Sequence, residues 1–126
     1  MTEVIIVKDE QEAGELYGRC VADLITKNPQ AVLGLATGSS PLAAYKALAK
    51  IVHDEDIDVS HVRGFALDEY LGLPITHPQS YHSTIERTVV EPLGLDPALV
   101  HVPGDVINGA PLSDGRIIQE AGPAYD

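Results

Sequence analysis

Three observations predict an α/β fold, a mostly parallel sheet flanked by helices in three layers. Short apolar runs alternate with longer amphipathic stretches, in the order strand, helix, strand, helix, strand, helix. The second run, Ala31 to Ala36, is apolar on both faces, as suits a central parallel strand covered by helices. A chain of 126 residues supports one compact core and not two.

The elements follow in order. Val4 to Val7 is a β-branched run and reads as a buried strand. Asp9 is placed as an N-cap, with Glu12 three residues on. Ala13, Leu16, Tyr17, Cys20, Val21, Leu24 and Ile25 then recur at helical spacing and predict one apolar stripe, ended by Asn28-Pro29. After the strand at Ala31 to Ala36 comes the loop Thr37 to Ser40. Ser40-Pro41 has the composition of a helix start, and Leu42, Tyr45, Leu48, Ala49 and Val52 give that helix its buried face. Val62 to Leu67 is the third strand, ending in Asp68-Glu69-Tyr70. The loop GLPITHPQ leads to a helix over Ser80 to Glu91, closed by Pro92-Leu93-Gly94. Leu99 to Val102 reads as a short fourth strand, Asn108 to Gly115 as a loop, and Arg116 onward as the start of another helix.

Composition removes several function classes. Eight basic residues against nineteen acids give a net charge of −11, which supplies no basic face for nucleic acid or for an anionic membrane. VIIV is far too short for a signal peptide or a membrane span. Cys20 is the only cysteine, so no internal disulfide or cysteine metal cluster is available, and a reduced, cytoplasmic setting is expected. A small anion is still admissible, because backbone N–H groups can make a pocket locally positive.

In such sheets ligands bind beyond the carboxyl ends of the strands, and two segments fall there. The first is GLATGSSP. At Thr37, Gly38, Ser39 and Ser40 a strand becomes a helix, whose first turn offers free N–H groups and the positive end of the dipole. Gly38 allows a close backbone approach, and three hydroxyls add donors, so the loop has the chemistry to hold a phosphate without a lysine. It is neither a Walker loop nor a dinucleotide fingerprint. The alternative is an ordinary turn whose serine caps the helix. The second segment is Asp68-Glu69. A carboxylate facing the same crevice is suited to general-base work, and adjacent side chains on an extended chain point opposite ways. One of the two is therefore expected to face the crevice and the other to make a structural contact. The alternative is two solvated acids. Asp68, His77 and His82 match no metal-ligand spacing, so no metal is expected. Tyr17 and Tyr45 fall on apolar helix faces and read as core.

Together, GLATGSSP, LDEYLGL and HPQSYHSTI resemble the glucosamine-6-phosphate deaminase (isomerase) family in order and spacing, with Ser40 and Asp68 28 positions apart. The resemblance runs from the first strand to about Val102. It implies a Rossmann-like sheet, incomplete in this chain, with residues 1–126 as the N-terminal portion of one sugar-phosphate domain. It also implies conversion of glucosamine 6-phosphate and water to fructose 6-phosphate and ammonia, with no cofactor. Thr37, Gly38, Ser39 and Ser40 would hold the 6-phosphate, Asp68 would move the proton between C2 and C1, and Tyr81 would lie near the substrate. The partner is thus a small sugar phosphate, and a homo-oligomer is compatible with it. Two departures stand out. Ser39-Ser40 replaces the glycine and threonine of many relatives. The family's ring-opening Asp-Gly-His segment and a phosphate-contacting lysine would follow Asp126. A related sugar-phosphate isomerase, a 6-phosphogluconolactonase-like hydrolase and a non-catalytic sugar-phosphate-binding fragment are the alternatives.

Overall fold

The computed structural model of the chain describes residues 2–104; the loop expected at Asn108 to Gly115 and the helix expected from Arg116 lie outside them. Three strands, β1 (Val32–Leu35), β2 (Arg63–Ala66) and β3 (Val100–His101), form a parallel sheet in the order β1-β2-β3. Helix α1 (Glu10–Lys27) precedes β1, and α2 (Leu42–Asp54) joins β1 to β2. The connection from β2 to β3 is α3 (Tyr81–Ile85), a π-turn (Glu86–Val90), α4 (Glu91–Leu93) and a 3-10 turn (Pro97–Leu99).

Helix α1 begins where the sequence places it. The Asp9 carboxylate accepts the Glu12 N–H at 2.8 Å, and Glu12 reaches back to the Lys8 N–H at 2.8 Å. Its buried face, however, is Gly14, Gly18, Val21, Ala22 and Ile25, rotated from the expected stripe. The two glycines explain the rotation, because α1 packs on α2 at very short range. A Cβ at Gly14 would lie 2.7 Å from the Ala43 carbonyl carbon, and one at Gly18 would lie 2.9 Å from the Leu48 nitrogen. Close approach of two backbones fixes the phase, and Leu16, Tyr17, Cys20 and Leu24 are left exposed. Tyr17 is therefore not a core residue.

Among the described residues, the expected strand at Val4 to Val7 is not part of the sheet. Val4, Ile5 and Ile6 are exposed, Ile6 at 94%. A β-branched run becomes a strand only when a neighbour takes its N–H and C=O groups, and β1 is an edge of the described sheet.

The strand order explains the layering. Both crossovers step the same way, and crossovers of one hand that step the same way lay their helices on the same face. Among the described residues α1, α2 and the segment from Tyr81 to Leu93 accordingly form one helical layer. It covers Leu35, Gly64, Ala66, Val100 and Val102, which alternate onto one side of the sheet. Leu48, Val52, Ile85, Val89 and Leu93 complete this core. The other side carries Val32, Gly34, Phe65 and His101, with the Phe65 and His101 rings in contact at 5.4 Å. Val32 is 51% exposed, so β1 is covered on one face among the described residues, and not on both as expected.

The helical segment after Ser80 runs as predicted, with one local feature. Its π-turn lies immediately before Pro92, whose ring would meet the carbonyl one turn back in a regular α-helix. The segment ends at Gly94, in the left-handed region at φ 74°, with the Leu95 N–H donating to the Val90 carbonyl at 3.0 Å.

Candidate active site

The parallel register brings the two candidate segments together. Leu35 of β1 pairs with Ala66 of β2, so Thr37 and Asp68 each lie two residues past paired positions at the carboxyl edge of the sheet. Both therefore stand at the carboxyl edge of the sheet, the edge beyond which parallel α/β sheets bind ligands.

The loop is anchored by Tyr45, a residue the sequence assigned to the core alone. It is buried, and its hydroxyl brackets Ala36, accepting the N–H at 2.9 Å and donating to the C=O at 2.6 Å. A side chain thus substitutes for a strand neighbour where β1 ends and the loop begins. No signal in the sequence marked this, since an apolar-face tyrosine reads as packing. Burial raises the Tyr45 phenol pKa above its usual 10.0, partly offset by the hydrogen bonding to Ala36. Tyr45→Phe leaves both Ala36 groups unpaired and is expected to cost roughly 1–3 kcal/mol of stability. Because the folded-state pKa is raised, the ionisation-linked part of the phenol's stabilising effect is complete below pH 10 and disappears as pH rises through the folded value. The stability gap between wild type and Tyr45→Phe should narrow above pH 10, as read by urea denaturation across that range.

Beyond Ala36 the chain turns. Thr37 is half-buried, and Gly38, Ser39 and Ser40 are exposed. Gly38 has φ +99°, and a Cβ built there meets nothing within 4 Å. Its glycine is demanded by backbone conformation and not by space. The expected cap at Ser40 is displaced. Pro41 occupies the cap position of α2, the Leu42 N–H donates to the Ser39 carbonyl at 3.2 Å, and no side chain caps the helix. The first turn of α2 therefore opens toward the loop with no cap from its own side chains. A cleft of about 500 Å³ runs beside it, lined by Gly34, Ala36, Ser40, Pro41, Tyr45 and residues of α1.

At the end of β2 the two carboxylates separate in role. Glu69 is half-buried, and its oxygens accept the N–H groups of Tyr70 at 2.8 Å, Tyr81 at 2.9 Å and His82 at 2.9 Å. Asp68 is exposed, and among the described residues no hydrogen bond or ion pair engages it. Of the adjacent pair, Glu69 is the structural member, and Asp68 makes no such contact among the described residues. Tyr81 opens α3 and stacks on Tyr70, with ring centroids 4.6 Å and hydroxyls 3.3 Å apart. That hydroxyl contact holds the Tyr70 phenol pKa above its usual 10.0, and the Asp68 and Glu69 charges add to the effect. Ser80 is fully buried and caps α3 by accepting the Ser83 N–H at 3.0 Å. His77 accepts the Gln79 N–H through Nδ1.

The chain is similar to known proteins along its length. The family model described as glucosamine-6-phosphate isomerases/6-phosphogluconolactonase matches residues 9–113. Over 126 residues the chain is 79% identical to a glucosamine-6-phosphate deaminase of Bifidobacterium longum, covering all of this chain and 47% of that one. It is 49% identical to the glucosamine-6-phosphate deaminase of Streptomyces coelicolor over 94 residues, 75% of this chain and 36% of that one. The solved structure of a monomeric glucosamine-6-phosphate deaminase matches with a TM-score of 0.78 and 29% identity, over 85% of this chain and 44% of that one. A putative 6-phosphogluconolactonase from Neisseria gonorrhoeae shares the fold, with a TM-score of 0.61 and 21% identity over 95% of this chain and 52% of that one. The chain spans about half the length of the curated relatives it matches. With a family model running from residue 9 to residue 113 and high identity over the whole chain, it belongs to the family of glucosamine-6-phosphate isomerases and 6-phosphogluconolactonases.

Proposed function

We propose that the chain is the N-terminal portion of a single sugar-phosphate domain that converts glucosamine 6-phosphate and water to fructose 6-phosphate and ammonia. The loop Thr37, Gly38, Ser39 and Ser40 holds the 6-phosphate against the uncapped start of α2. Asp68 is the base that carries the proton between C2 and C1. Tyr81 stands beside the substrate. The observation that carries this reading is the β1–β2 register, which sets Thr37 and Asp68 at matching positions past the strand ends.

The chemistry is consistent with that arrangement. A phosphate held at the loop is anchored by amides and hydroxyls and brings its negative charge to a helix N-terminus. An open-chain six-carbon sugar then extends from the anchor, so its C1 and C2 lie far from the phosphate charge. A base acting there is not opposed by that charge, and an exposed carboxylate such as Asp68, without a partner among the described residues, is free to take the proton. The deaminase reading is preferred to a lactonase because the 79%-identical relative over this whole chain is named a deaminase. A reduced, cytoplasmic setting fits such an enzyme, and a homo-oligomer is compatible with it.

The test uses the whole protein. Incubated with glucosamine 6-phosphate, it should release ammonia and fructose 6-phosphate in equal amounts. Hydrolysis of 6-phosphogluconolactone without ammonia release would replace the deaminase by the lactonase. Within the same assay, Gly38→Val forces a β-branched residue into the left-handed region and disturbs the phosphate amides. The expected result is a KM for the phosphorylated sugar raised roughly tenfold or more. An unchanged KM would remove the loop from phosphate binding.

A further inference from the structure

We propose that Glu69 is a positioning residue that fixes Tyr81 relative to Asp68. The proposal rests on the functional reading above and deepens it.

The connection from Leu71 to Ser80 leaves the sheet edge and returns to it. Glu69 closes it at the base. One carboxylate oxygen accepts the Tyr70 N–H at 2.8 Å on the outgoing side and the Tyr81 N–H at 2.9 Å on the returning side. The other oxygen accepts the His82 N–H at 2.9 Å. Asp68 precedes this clamp directly in sequence, and Tyr81 is one of the groups it grips. A shift of the carboxylate therefore alters the separation between the proposed base and the proposed substrate neighbour.

Capping alone does not account for the arrangement. Ser80 already caps α3 through the Ser83 N–H and donates its own hydroxyl to the Ile75 carbonyl at 2.8 Å. Glu69 takes the two remaining amides of the first turn, from a different element. The Tyr70–Tyr81 stack is a second link across the same closure and orients the Tyr81 ring. Two independent contacts thus hold Tyr81 to the strand end that bears Asp68. Misplacement of a catalytic group by about 1 Å can cost on the order of 100-fold in rate.

The experiment compares whole-protein wild type with Glu69→Gln, which keeps the shape but turns an NH2 toward one of the amides. Asp96→Ala serves as the control, since it removes the cap of the 3-10 turn that leads into β3, at the opposite edge of the sheet. The measurements are kcat and KM per folded enzyme, Tm, and amide exchange at Tyr81 and His82. The proposal expects kcat reduced at least about tenfold, KM altered far less, and faster exchange at both amides. Asp96→Ala should lower Tm with kcat unchanged. Unchanged kcat in Glu69→Gln overturns the positioning role, as does a loss that only tracks Tm. If Glu69→Gln does not fold, Glu69→Asp, with its carboxylate withdrawn by one methylene, carries the same expectations. A wild type that releases no ammonia overturns the functional reading, and the positioning role of Glu69 with it. That outcome is distinct from an active wild type with an unaffected variant.

Discussion

Asp68→Asn in the whole protein should lower kcat by about 10²- to 10⁴-fold and leave KM within a few-fold of wild type. The amide preserves shape and most ground-state contacts but is not a base. A group that acts chiefly in the transition state shows its loss in kcat, whereas a binding group shows it in KM. Tm should stay close to wild type, because Asp68 is exposed and makes no hydrogen bond or ion pair among the described residues. Steady-state ammonia release with a thermal melt on the same sample checks both halves. Near-normal turnover would mean that the proton is moved by another group.

The second large effect falls on stability. Gly14→Val should destabilise the protein by about 1–3 kcal/mol or more. Two terms compete. Replacing a mid-helix glycine gains up to about 1 kcal/mol of helix propensity, less for a β-branched residue. Against this, a Cβ at Gly14 would stand 2.7 Å from a backbone carbon of Ala43. That atom cannot rotate away as a side-chain tip could, so α1 must lift from α2. Such a shift loosens the contacts of Val21, Ala22 and Ile25, which α1 buries in the core. Packing wins over propensity. Gln11→Ala, on the exposed side of the same helix, should stay within about 0.5 kcal/mol of wild type. Urea midpoints for the two variants give the comparison directly. A neutral or stabilising Gly14→Val would contradict the close helix contact.

Gly14 and Gly18 also show where sequence reading stops. Periodicity located α1 and both of its ends, because caps and breakers act locally. It misjudged the buried face, because hydropathy weighs Leu24 and Tyr17 heavily and glycine hardly at all, while helix–helix distance obeys the reverse preference. VIIV fails for a related reason. Its composition favours a strand, but pairing is a property of two segments, and one segment does not reveal the other. The loop after β1, the end of β2 and the start of α3 were legible from their turn residues and from the Ser80 cap, whereas the cap expected at Ser40 was not, because Pro41 takes that position. That Asp68 and Glu69 divide their labour was expected from their adjacency, but which of the two is the structural member was not readable from the pair itself. Choosing between them required knowing that the amides of Tyr81 and His82 fold back onto Glu69. The bracketing of Ala36 by Tyr45 had no local signature at all.

Two helices begin at this edge of the sheet, and the chain treats their positive ends differently. The start of α3 is filled from within, by the Glu69 carboxylate and the Ser80 hydroxyl. The start of α2 carries no side-chain cap. An internal anion is thus built in at one position, while the other is the place proposed above for the phosphate. If the loop before α2 holds the phosphate as proposed, a counting rule for ligands follows: one phosphate finds an open helix start, and a second meets a resident negative charge. A sugar bisphosphate should accordingly compete for the site no better than the monophosphate, despite its greater charge.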